Sequence, residues 1–195
     1  SANSDSGDSV GHGLSAAPDF IMIKKLTSAN GWPIWHSSLN SLEVLALQSS
    51  AAVDTSNYCY PSAPTATAVP LGNNPEINDS ADDFIMYAWN ATPGFSAFGQ
   101  YTGNAGTAGP FCYTGFRPKY VLLKGQNFAG NWNVFDSARN PTNPANGRLF
   151  PNSSGAQVDD SSSGNRVNML ANGFEIAGSN ADTNNNSSTF VYAAF

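Results

Sequence analysis

Acid–base or nucleophilic chemistry in this 195-residue chain would have to be built from two histidines, two cysteines and a few paired carboxylates. His12 and His36 are the histidines, and no serine near them sits in the strained Gly-x-Ser-x-Gly elbow that exposes a nucleophile. Nothing therefore signals a Ser/His/Asp triad. Glycoside hydrolysis needs two carboxylates facing each other across a cleft. Asp82-Asp83 and Asp159-Asp160 are instead neighbours in polar loops, and adjacent residues of an extended chain point opposite ways. No Walker loop, Cys-x-x-Cys pair or His-x-x-x-His spacing occurs. The expectation is a protein that is not an enzyme and carries no cofactor. Calcium is the metal best suited by the hard oxygens of Asn78 to Asp83 and Asn180 to Asn185, with Asp79, Asp82 and Asp182 as candidates. Neither stretch has the central glycine and closing glutamate of the twelve-residue calcium loop, and Asx turns account for the same residues. Cys59 and Cys112 read as two reduced, partly buried thiols.

Aromatic side chains offer a different chemistry, since an exposed ring face stacks on a sugar ring or another flat partner. Trp32, Trp35, Trp89 and Trp132 are joined by Phe98, Tyr101, Tyr113 and Phe135. Tyr58, Tyr60 and Phe150 fall in long loops and are the binding candidates, with Trp35 and His36 beside them at the end of a strand.

The elements that must position these residues are announced twice. Gly13 to Lys24 reads as glycine, an apolar residue, proline and a four-residue apolar run closed by lysine, and Gly115 to Lys124 reads the same way. Gly31 to Ser37 is answered by Asn131 to Ser137, and Phe84 to Trp89 by Phe190 to Phe195. Val10 aligns with Cys112. A period near a hundred residues is too long for a solenoid, so two tandem half-repeats, 1–100 and 101–195, are expected to build one domain. Residues present in both copies read as scaffold, which assigns Trp32/Trp132 and Trp35/Phe135 to a core.

Short β-branched or aromatic runs bounded by turn residues predict strands. They lie at Phe20 to Leu26, Trp32 to His36, Glu43 to Gln48, Phe84 to Trp89 and Phe95 to Tyr101. The second copy offers Phe111 to Gly115, Tyr120 to Lys124, Trp132 to Asp136, Val167 to Leu170, Gly173 to Ala177 and Thr189 to Phe195. No window holds a sustained helical period with caps. The fold class is all-β, an antiparallel β-sandwich of the jelly-roll or lectin-like kind. Each half is expected to feed both sheets, with Phe84 to Trp89 and Thr189 to Phe195 as central strands.

Composition narrows the partners. Charged residues make up 11% of the chain, well under the usual share of about 25%, and eight basic against fourteen acidic residues give a net charge of -6. Nucleic acid and anionic membrane both require clustered Lys and Arg, so neither is expected as a partner. No apolar run is long enough to span a bilayer as a helix. The chain begins without Met and in the middle of a repeat unit, which suggests part of a longer polypeptide.

The run Val10 to Lys24, then Trp35-His36-Ser37, resembles a domain of tailed-bacteriophage tail and fibre proteins. So do Phe98 to Asn104, Gly109 to Pro118, Trp132 to Asn143, Leu149 to Ser154 and Asn172-Gly173-Phe174. The resemblance covers almost the whole chain. It implies a concanavalin-like or similar β-sandwich carried on the virion tail, used for attachment to a host-surface glycan or receptor, with other virion subunits as neighbours. It offers no catalytic residues. Weak single sites gain roughly 10² to 10⁴ in avidity from repetition, so a homo-oligomer is expected, a trimer above other states. The alternative is a purely structural subunit of virion or fibre assembly. A depolymerase acting through Asp82, Asp83, Asp159 or Asp160 is the third reading.

Overall fold

The computed structural model describes residues 7–40, 42–56, 59–159 and 164–195. Strands dominate it, and all paired strands are antiparallel. The chain divides into two compact units, Ser1–Ala91 and Thr92–Phe195.

The first unit holds β1 (Asp8–Gly11), β2 (Phe20–Lys25), β3 (Pro33–His36), β4 (Leu45–Ala46), β5 (Ala68–Leu71) and β6 (Phe84–Trp89). Its larger sheet runs β4-β3-β2-β6, and β1 pairs with β5. Side-chain alternation along β6 sends Phe84, Met86 and Ala88 toward the core and leaves Ile85 and Tyr87 outside. Val69 and Leu71 of β5 meet Ile21 and Ile23 of β2 and Trp35 of β3, with Tyr60 and Ile77 closing the gap from the connections. Two sheets facing across one apolar layer make this unit a small sandwich.

The second unit holds β7 (Ala97–Thr102), β8 (Phe111–Tyr113), β9 (Tyr120–Gly125), β10 (Asn133–Asp136), β11 (Gly147–Arg148), β12 (Val158–Asp159), β13 (Val167–Leu170), β14 (Gly173–Ile176) and β15 (Thr189–Ala194). The four-residue helix α1 (Ala181–Asn184) starts at Asn180, whose side chain accepts from the Asp182 N–H. One sheet runs β10-β9-β15-β7, another β13-β14-β8, and β11 pairs with β12. Their inner faces share a core that includes Tyr101, Cys112, Leu123, Phe135, Phe174, Phe190 and Tyr192.

The all-β, antiparallel expectation is met, but two of its details change. Neither four-stranded sheet takes strands from both units; each is built within one. The unit boundary lies between Ala91 and Thr92, and β7 belongs to the second unit because it pairs along the whole of β15. For the same reason β15 is central while β6 ends its sheet. The registers can be superposed. Phe20 faces His36 and Tyr120 faces Asp136, and Phe84 faces Lys25 as Phe190 faces Gly125.

Candidate functional site

Most of the residues singled out for binding are core. Trp35 is 6% exposed and packs in the first unit's apolar layer. His36 is fully buried; its Nδ1 accepts from the Ser38 N–H at 3.0 Å and its ring stands edge-on to Phe20. Tyr60 is also buried and spends its hydroxyl on the Pro33 carbonyl at 3.3 Å. None of the three offers a ring face to a sugar. Phe150 is half-buried, with the Arg148 guanidinium over its ring at 5.0 Å. Tyr58 lies outside the described residues, as does Asp160.

The calcium candidates are held by cations and amides. Lys25 Nζ lies 2.6 Å from Asp82 Oδ2 and 3.7 Å from Asp79 Oδ2, and the Thr27 hydroxyl also donates to Asp82. The hydrogen bond from Lys25 holds the Asp82 carboxyl below its ordinary range and raises the lysine in turn. Asp182 accepts from Asn131 Nδ2 at 3.1 Å and lies 3.8 Å from Arg148. Among the described residues no group of three or more His, Cys, Asp or Glu could hold a metal. Burial pushes the Cys59 thiol far up and Cys112 to about 12, which keeps both protonated.

An exposed aromatic surface does exist, on the outer face of the β13-β14-β8 sheet. Cys112 points inward from β8, so alternation turns Phe111 and Tyr113 outward, where they are 49% and 68% exposed. The registers set two rows across the sheet: Phe111–Glu175–Asn168 and Tyr113–Gly173–Leu170. Gly173 is what lets Phe111 lie over β14. A Cβ there would collide with the Cys112 carbonyl and come within 2.8 Å of the Phe111 ring. Beside the rings, Asn168 Nδ2 donates to Glu175 Oε2 at 2.9 Å. Two exposed rings on alternate residues of one strand, beside an amide and a carboxylate, can stack on a pyranose and bond to its hydroxyls.

The repeat held a signal for this pair. With Val10 set against Cys112, Ser9 and Gly11 stand where Phe111 and Tyr113 stand, so these aromatics occur in one copy only. By the rule that shared residues are scaffold, unshared ones deserve to be tested for binding. The spacing Phe-Cys-Tyr does not say which face is out; the buried Cys112 settles it.

A family model covers residues 1–195. The chain belongs to the DUF7483 family, a domain of unknown function. Comparison with curated proteins and with solved structures yields no match.

Proposed function

We propose that the chain is a non-catalytic module of a tailed-phage tail or fibre that attaches to a host-surface carbohydrate through Phe111 and Tyr113. The observation that carries this reading is the pair of exposed rings on one sheet face, beside Asn168 and Glu175. The phage-tail resemblance of Val10 to Lys24 and Phe98 to Pro118 supplies the setting. Low charge and abundant amides and hydroxyls suit a neutral, hydroxyl-rich ligand. One shallow face binds weakly, and repetition in an oligomer, a trimer above other states, supplies the avidity.

The test is retention of the trimerised chain on bacterial envelope preparations, with free envelope saccharides as competitors. Saturable retention that saccharide displaces, and that Phe111→Ala with Tyr113→Ala removes, supports the reading. Retention untouched by that double substitution contradicts it. A second reading, a structural subunit of virion assembly, is favoured by a separate feature, the edge of β6 that pairs with no strand among the described residues.

A further inference from the structure

The matched sheets of the two units differ at the edge beyond β6 and β15. In the second, β7 lies along the outer edge of β15, from Ala97 opposite Ala194 to Thr102 opposite Thr189. The Tyr101 ring stacks on Phe190 at 4.9 Å and 3°, and its hydroxyl donates to the Thr183 carbonyl at 2.7 Å. The chain then turns through Gly103, whose N–H donates to the Ser188 carbonyl, and the Asn104 N–H donates to Asn184 Oδ1 at 2.8 Å. Asn184 Nδ2 returns a bond to Asn104 Oδ1 at 3.0 Å.

Three receiving residues of that arrangement, Phe190, Asn184 and Thr183, have counterparts in the first unit. Phe84 occupies the register of Phe190. Asn78 matches Asn184: both are buried, both donate through Nδ2 to a glycine carbonyl (Gly72 and Gly178), and both N–H groups donate to an asparagine carbonyl four residues back. Ile77 then stands where Thr183 stands. The donor strand has no counterpart among the described residues. The outer edge of β6 pairs with none of them, and Phe84 is half-buried where Phe190 is fully covered. An open cleft of about 490 Å³ lies against Ile23, Ile77, Phe84 and Met86. Asn78 Oδ1, on a residue only 1% exposed, has no hydrogen-bond partner among the described residues. A buried carbonyl oxygen without a donor costs free energy comparable to a lost hydrogen bond, and it marks where a donor belongs.

We propose that the β6 edge and its cleft are an acceptor site for an extended strand of a separate partner polypeptide. The strand carries the pattern of Phe98 to Asn104, Phe-Gly-x-Tyr-x-Gly-Asn. It adds to β6 antiparallel, by main-chain bonds with side chains seated in alternate pockets. The tyrosine ring stacks on Phe84, its hydroxyl reaches the Ile77 carbonyl, and the final asparagine N–H satisfies Asn78 Oδ1. Asp8, Asp82 and Asp83 rim the cleft, so the arriving strand carries no acidic residue, as Ala97 to Asn104 carries none.

The probe is a blocked synthetic peptide of residues 97–104, added to the whole chain and followed by amide hydrogen exchange and calorimetry. Saturable binding is expected, with new protection at Phe84–Trp89. Tyr101→Ala in the peptide should weaken it about tenfold, the loss of roughly one good buried contact. Asn78→Ala in the protein should weaken binding severalfold while leaving the exchange pattern of β2 and β3 unchanged. Absence of saturation at millimolar peptide would overturn the proposal. Equal binding of a scrambled peptide, or protection at β15 in place of β6, would do the same.

Discussion

Replacing Lys124 by methionine isolates the cost of keeping an ammonium in an apolar interior. Lys124 has no exposed surface, and its Nζ donates to the Gly125 carbonyl at 3.1 Å. Burial lowers its pKa from 10.5 to about 8, against an opposing pull from Asp182. At about 1.4 kcal/mol per pH unit, that fall is worth at most about 3.5 kcal/mol. Methionine keeps most of the volume but forfeits the ammonium's polar contacts, the bond to Gly125 among them, which subtracts about 1–2 kcal/mol. At pH 7 lysine is charged in both states and the cost is fully present, so Lys124→Met should stabilise the second unit by about 1–2 kcal/mol. Between pH 8 and 10.5 the unfolded chain binds the lysine proton and the folded chain increasingly does not, so wild-type stability climbs with pH. The variant lacks that climb. Near pH 11 the order should reverse, with the variant about 1–2 kcal/mol less stable. Urea unfolding of both proteins at pH 7 and pH 11 measures it, and groups common to both cancel in the comparison. A stability difference that does not change between the two pH values would refute the reasoning.

Native Cys59 and Cys112 should resist alkylation by iodoacetamide at pH 8, because burial raises both thiols, and should react fully in urea; mass spectrometry counts the labels. Gly173→Ala should cost about 2 kcal/mol or more in urea titrations, since its Cβ meets the Cys112 backbone. It should also loosen exchange protection along β8 and β14. Phe111→Ala with Tyr113→Ala should shift stability by no more than about 1 kcal/mol, as both rings face solvent.

Strands were the most legible part of the chain. The run Phe84 to Trp89 is β6 to the residue, and Val167 to Leu170 is β13. β5 was hidden by Pro70, which has no N–H to give and survives because a two-stranded ladder leaves one edge of each strand unpaired. Helix α1 is a single turn capped by Asn180 inside a run of Asn, Asp and Thr, too short for any periodicity to show. What the spacing could not reveal was exposure. Tyr60 looked like a loop aromatic and is core because the polar connection around it folds under β3 to reach Pro33. Phe111 and Tyr113 looked like strand residues and are surface, because β8 buries only its middle side chain. Sheet order was equally out of reach, since β6 and β15 are alike in sequence, yet among the described residues β6 pairs along one edge and β15 along both.

The most direct measurement is an array of bacterial envelope saccharides probed with the trimerised wild-type chain and with the Phe111→Ala/Tyr113→Ala variant, both shown to be folded. The account predicts signal on at least one saccharide class for the wild type and its loss in the variant. A blank array for both, or signal the variant retains, would contradict carbohydrate attachment through this face.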